Sequence, residues 1–186
     1  MKRILFVFFF FIASFTVDAQ VNFMGIPVDG DAQTMLSQIR KRGFDDMTKK
    51  YEMENLELPI LKGTFNGKSS HVYIATNHKK VYRVFVCEAE TVSESQIIIA
   101  FNNLLRQFKN NSKYLHIDGQ EIEQKEDISY EMNIHNKVYD ASFYQIISDN
   151  LTEKNLVWFR INEFDGEYYI SIFYDNLLNM ANGEDL

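Results

Sequence analysis

This chain predicts an α+β fold with an antiparallel sheet, and three observations carry the prediction. The two-residue turn signals Asn66-Gly67 and Asp165-Gly166 each lie between runs in which apolar and polar residues alternate. The segment Ser93 to Asn110 repeats its apolar residues with a helical period. The strand, helix, strand alternation that builds parallel sheets is missing. The expected architecture is a first half of helix, hairpin, hairpin and helix, followed by a β-rich second half.

In chain order, the first segment is read as standing outside the fold. Met1-Lys2-Arg3 is basic, Ile4 to Val17 is a continuous apolar run rich in Phe, and Val17 and Ala19 occupy the −3 and −1 positions of a cleavage site before Gln20. This is the pattern of a secretory signal peptide over residues 1–19, implying export through the inner membrane to the periplasm or beyond. A run of about 14 apolar residues falls short of the roughly 20 a spanning helix needs, so no membrane span is expected after signal removal. No cysteine follows the run, so lipoprotein processing is not indicated. Residues 20–186 then form a single α+β domain, open to division into lobes 20–115 and 116–186.

The net charge is −7, and loss of Lys2, Arg3 and Asp18 takes it to −8. An acidic chain does not attract nucleic acid or anionic membrane over distances beyond about 10 Å at ordinary salt. Cys87 is the only cysteine, so no internal disulfide is available and stability must come from packing. Glu88 and Glu90 beside it are expected to raise its pKa, which makes it a small apolar residue at a strand end and not a nucleophile.

An extended lead-in, Phe23 to Gly30, comes next. A first helix is expected from about Asp31 to Arg42, with Asp31 as N-cap, Ala32, Met35, Leu36 and Ile39 as its apolar stripe, and Gly43 ending it. Turn Asn66-Gly67 sets Phe65 against Lys68 and Leu61 against Val72. The next break, Asn77-His78-Lys79, reads as a three-residue loop that sets Ile74 against Tyr82 and Val72 against Val84, burying Val72, Ile74, Tyr82, Val84 and Val86. Ser93 with Gln96, or Thr91 with Glu94, has capping-box spacing and opens the helix that covers this face. Its stripe is Ile97, Phe101, Leu104, Leu105 and Phe108, with Asn102, Asn103, Arg106 and Lys109 falling elsewhere.

These residues also carry a resemblance. It lies in the lead-in Phe23-Met24-Gly25-Ile26-Pro27-Val28-Asp29-Gly30, the helix ending Arg42-Gly43-Phe44, the run Leu61 to Gly67, Val72-Tyr73-Ile74 and Phe101-Asn102-Asn103-Leu104. Over roughly Phe23 to Tyr114 the chain resembles a group of short secreted bacterial proteins of unknown function. Their α-β-β-β order is in turn similar to the repeated unit of the β-lactamase-inhibitor-protein fold. That likeness implies a noncatalytic module and transfers no catalytic residue.

In the second half, Gln120 to Asp127 reads as linker or exposed edge, and Ile128 to Ile134 and Lys137 to Ile147 as strands flanking His135-Asn136. Asp165-Gly166 then joins Leu156–Phe164 to Glu167–Asp175. One face of that hairpin pairs Val157 with Tyr174, Phe159 with Ile172 and Ile161 with Ile170; the other pairs Trp158 with Phe173, Arg160 with Ser171 and Asn162 with Tyr169. Leu177 to Met180 is expected to dock as one turn, and Ala181 to Leu186 to fray.

No catalytic motif stands out. The histidines 71, 78, 116 and 135 are scattered singly, without metal-site spacing, and read as solvated loop residues. No cofactor, metal or phosphate-loop signature occurs, and no catalytic residue is assigned. The candidate binding residues are Trp158, Arg160, Asn162, Tyr169 and Phe173, an aromatic and polar mixture typical of recognition surfaces, which points to another protein as partner. The competing reading has these aromatics packing against the Gln120–Ile147 strands as a second core layer. A second function class is a carrier of a small apolar ligand or lipid, its cavity between sheet and helices lined by the seven methionines and many phenylalanines. A hydrolase with a site assembled from distant residues comes third.

Overall fold

The structure is a computed structural model that describes residues 20–47, 59–147 and 154–180. The expected signal peptide and the fraying C-terminal segment lie outside the described residues. The fold is mixed α+β, with three helices and one large antiparallel sheet among the described residues.

The lead-in forms a two-stranded ribbon, β1 (Asn22–Phe23) and β2 (Ile26–Pro27), before helix α1 (Ala32–Arg40). The Asp31 carboxylate accepts the Thr34 N–H at 2.9 Å, and Ala32, Met35, Leu36 and Ile39 are buried, as the periodicity predicts. Short strand β3 (Asp45–Asp46) pairs with β4 (Leu61–Phe65), which turns through Asn66-Gly67 into β5 (Lys68–Asn77) in the expected register.

The next turn departs from expectation. Strand β6 (Lys80–Glu88) is reached through a two-residue turn, His78-Lys79, with φ of 47° and 66°. A bulge then inserts Tyr82 as an extra residue, so that Ile74 faces Val84 and Val72 faces Val86. The physical reason is visible in the sequence: Val81, Val84 and Val86 are all buried, and no strict two-residue alternation can place all three on one face. The bulge absorbs the break in period, turning Tyr82 off the buried face and giving its place to Val81.

Helix α2 (Glu94–Lys109) starts where the capping box is read, with the Ser93 N–H donating to Gln96 Oε1 at 3.2 Å. All five residues of its expected stripe are buried. Asn102 is buried as well, contrary to expectation, because its amide makes two hydrogen bonds with the Ile122 backbone, at 2.8 and 2.9 Å. One side chain thus pins the loop that follows strand β7 (Tyr114–Asp118).

The expected strand Ile128 to Ile134 is instead helix α3 (Ile128–His135). Two carboxylates satisfy its first-turn donors: Asp127 accepts the Tyr130 N–H at 2.8 Å and Glu94, from α2, accepts the Ile128 N–H at 2.6 Å. Asn136 ends it in the left-handed conformation. Alternating Ile128, Tyr130, Met132 and Ile134 imitate a strand, but of them only Ile128 is buried. Strand β8 (Asp140–Gln145) falls within the expected second strand.

β9 (Asn155–Phe164) and β10 (Glu167–Asn176) form the last hairpin, with all six predicted cross-strand pairs in register. The eight strands run in the order β3-β4-β5-β6-β10-β9-β8-β7, every pair antiparallel. The β6–β10 pairing joins the two halves into one sheet. The ribbon and the three helices deliver their buried side chains to a single core on one face: Phe23 meets Tyr174, and Phe101 meets Phe159. Leu177 to Met180 docks as expected, with Asn179 donating to Asp29 at 2.5 Å and to Val81 O at 2.9 Å. No helix among the described residues is long and apolar enough to cross a membrane.

Candidate functional site

The strict two-residue alternation of β9 and β10 sends Val157, Phe159, Ile161, Ile170, Ile172 and Tyr174 into the core and Trp158, Arg160, Asn162, Tyr169 and Phe173 to the opposite, outer face. All five candidate residues are thereby brought together. The expected second layer is not formed: β7 and β8 lie in the same sheet, and the neighbour of Trp158 on β8 is Ser142.

Trp158 stacks on Phe173 with ring centroids 3.9 Å apart and planes 8° from parallel. Because β6 follows β10 and β5 follows β6, the stack continues through Phe85 (5.7 Å, 17°) to Tyr73 (4.5 Å, 6°). Four near-parallel rings therefore cross four adjacent strands, a row of about 14 Å at 4.8 Å per strand. The two inner rings, Phe85 and Phe173, are covered on both faces and present edges outward, while Tyr73 and Trp158 close the row, each stacked on one face. That accounts for Phe173 being only 9% exposed although it lies outside the core, while Trp158 is half-buried.

An ion pair between half-buried Arg83 and the buried Asp175 carboxylate fixes one side of the row. Arg83 donates through Nε and Nη2 to the two Asp175 oxygens at 2.6 and 2.7 Å, and the indole N–H of Trp158 donates to Asp175 at 2.9 Å. The Arg83 guanidinium lies 5.3 Å from the Phe173 ring centre. Its pKa is raised, first by the hydrogen bonds to Asp175. On the other side runs a polar chain. Arg160, exposed and 5.9 Å from the Trp158 ring, donates to Asn162 at 3.1 Å; Asn162 donates to Ser171 at 2.9 Å; Ser171 meets Cys87 Sγ at 3.2 Å. Burial raises the pKa of the Tyr169 phenol at the end of this row, with the nearby Cys87 adding to it.

The polar row ends at Cys87, whose setting works against thiolate formation. Burial, and not its glutamate neighbours, pushes the Cys87 thiol up, against the hydrogen bond with Ser171 and the charge of Arg160. His71 stands directly opposite Cys87 on β5, half-buried in a strand and not in the solvated loop expected for it. Burial and then Lys62 hold its pKa down. The Cys87 thiol, pushed up in this way, is a poor source of the thiolate a nucleophile needs. His116 lies within β7 and His135 ends α3, while His78 occupies the turn.

Tyr73, Arg83, Phe85 and Asp175 escaped the sequence reading. The pairing of Tyr73 with Phe85 follows once the bulge is placed, for which the period break at Val81 is the signal. The β6–β10 contact joins residues far apart in the chain and leaves no local trace. A cleft does lie between the sheet and a helix, beside α2; Phe65 and Phe108 are among its lining residues, with amides, aliphatic residues, Tyr114, Tyr174, Lys68 and Glu88, and no methionine. No family model, curated protein or solved structure matches the chain.

Proposed function

We propose that the chain is an exported, noncatalytic binding protein that meets another protein through the outer face of its sheet. The observation that carries this reading is the row Tyr73, Phe85, Phe173 and Trp158, which stands outside the core on the face opposite α2. An aromatic ridge of this extent has no use in a solvated sheet face, where alternating polar residues suffice. Phe85 and Phe173, stacked on both faces, offer no platform for a ligand that binds flat, and the row meets solvent mainly through ring edges. Edges flanked by Arg160, Asn162 and Tyr169 suit a protein surface, where apolar contact and a few oriented hydrogen bonds act together. Arg83 and Asp175 hold the ridge rigid, so little ordering is required on contact.

A photo-crosslinking residue at position 162, compared with one at the exposed loop residue Lys125, tests the reading in the native periplasmic or culture fluid. A discrete adduct is expected from position 162 alone, and Arg160→Glu should remove it without changing the melting temperature. Equal adducts from both positions, or an adduct indifferent to Arg160→Glu, would exclude the outer face as the contact surface.

A further inference from the structure

The chain builds one kind of hairpin tip twice, Phe65-Asn66-Gly67-Lys68 and Phe164-Asp165-Gly166-Glu167, and finishes the two differently. Both turn through two residues of positive φ, 48° and 77° in the first and 53° and 78° in the second, and in both the phenylalanine pairs with the charged residue after the turn. At the first tip the chain supplies the partners itself: Phe65 stacks on Phe23 at 5.4 Å and meets Tyr174 edge-on at 6.4 Å, while Lys68 is paired with Glu88 at 2.6 Å. At the second, Phe164 is 70% exposed and makes no ring contact among the described residues. Its alternation with Asn162 puts it on the outer face of the sheet. Val138, 59% exposed, joins it there. The Ile161 N–H donates to Tyr139 O at 3.0 Å and so carries the Asp140–Arg160 register on to set Val138 against Asn162.

We infer that this tip is where the outer face seats a positively charged protein surface, with Phe164 and Val138 as the apolar anchors. The inference rests on the outer-face reading above and names the chemistry of that partner. Exposure is the first reason. Phe65 shows that the chain can cover a phenyl ring at such a tip, and it leaves Phe164 in water. Charge is the second. Glu163, Asp165 and Glu167 bracket Phe164, all exposed, and none of them enters an ion pair among the described residues. Glu163 accepts the Gly166 N–H at 2.7 Å and Glu167 the Thr91 hydroxyl, bonds to neutral donors that leave both charges in place. Arg160 stands opposite Asp140 and favours that carboxylate, so it does not offset the three at the tip. Such a surface draws Lys and Arg side chains and turns away anionic lipid and nucleic acid. Continuity is the third. Phe164 and Val138 flank Asn162, so the tip prolongs the face that carries the aromatic row.

The test is fluorescence anisotropy of the full chain with dye-labelled, end-capped peptides of three kinds, alternating Lys with Leu, Lys with Ser, or Glu with Leu. Co-sedimentation with phosphatidylcholine vesicles is run beside it. The Lys-Leu peptide is expected to bind most tightly, and less so as salt rises. Phe164→Ser, at a position outside the core, should weaken it by roughly tenfold, the loss of one aromatic anchor. Asp165→Asn with Glu167→Lys rewrites the tip as Phe-Asn-Gly-Lys, which keeps the turn chemistry of the first hairpin, and should weaken it comparably. The inference is overturned if the Lys-Ser peptide binds as tightly as Lys-Leu, if the Glu-Leu peptide or the vesicles are preferred, or if neither variant lowers binding. The photo-adduct from position 162 separates the two claims. An adduct that persists in both tip variants overturns the tip alone, whereas the lack of any adduct overturns the outer-face contact beneath it.

Discussion

Asp175 shows how much one side chain carries on the outer face. It is 1% exposed and accepts from both Arg83 nitrogens and from the Trp158 indole, so its charge is neutralised only while Arg83 is present. Arg83→Leu leaves a buried carboxylate with one neutral donor and should cost about 3 to 5 kcal/mol. Replacing Arg83 and Asp175 together by Leu should cost clearly less, because no unpaired charge remains. Urea denaturation of the three variants measures this, and equal losses in single and double variants would mean that the ion pair is not the source. Asn102 plays the matching part on the inner face, satisfying both backbone groups of Ile122 at once.

Among the elements, the β5–β6 hairpin is built under strain. His78 and Lys79 both take positive φ, a conformation that suits Asn and Gly far better than Lys. Lys79→Gly should therefore raise stability by about 1 kcal/mol, less the backbone entropy a glycine loses on folding. A lower urea midpoint for this variant would show that Lys79 makes a compensating contact. Helix α3 depends on its neighbours in a different way. Glu94 of α2 caps its N-terminus, and Glu126, tied to Lys137 and Tyr139, holds the chain on either side of it. The hydrogen bond from Lys137 is the main reason the Glu126 carboxyl stays below its ordinary range.

At the scale of the whole molecule, the shared core decides how the chain fails. Phe101 packs edge-on to Phe159, and Phe108 reaches both Phe143 and Phe159, so helix α2 of the first half covers strands of the second. Phe101→Asp should thus unfold both halves in one step, monitored by far-ultraviolet dichroism and Trp158 emission together; separate transitions would mean the halves are independent. Acid should loosen the closure between the two ends of the described fold. Burial works against the Asp29 carboxylate, yet hydrogen bonds from Asn179, the Gly30 backbone and Gln20 prevail and hold its pKa below the usual value. A group with a depressed folded pKa adds stability that is complete above its unfolded value and is lost as pH falls through the folded one. Asp29→Asn should accordingly show a smaller drop in melting temperature between pH 6 and about pH 3 than the parent chain.

What the sequence by itself determined is whatever depends on neighbours in the chain. The Asn66-Gly67 and Asp165-Gly166 turns set two registers, because a two-residue turn leaves the flanking strands one way to pair. The stripes of α1 and α2 name their buried residues, because the helical period sorts faces locally. The same local logic put Trp158, Arg160, Asn162, Tyr169 and Phe173 on one side of the last hairpin. Only the tertiary structure decided that Ile128 to His135 is a helix, since one of its caps comes from Glu94, 34 residues away. It alone decided that β6 lies beside β10, which extends a two-ring pair into a four-ring row and brings in Arg83. Contacts of that kind depend on which surfaces meet once the core closes, and a local pattern of residues carries no record of that choice.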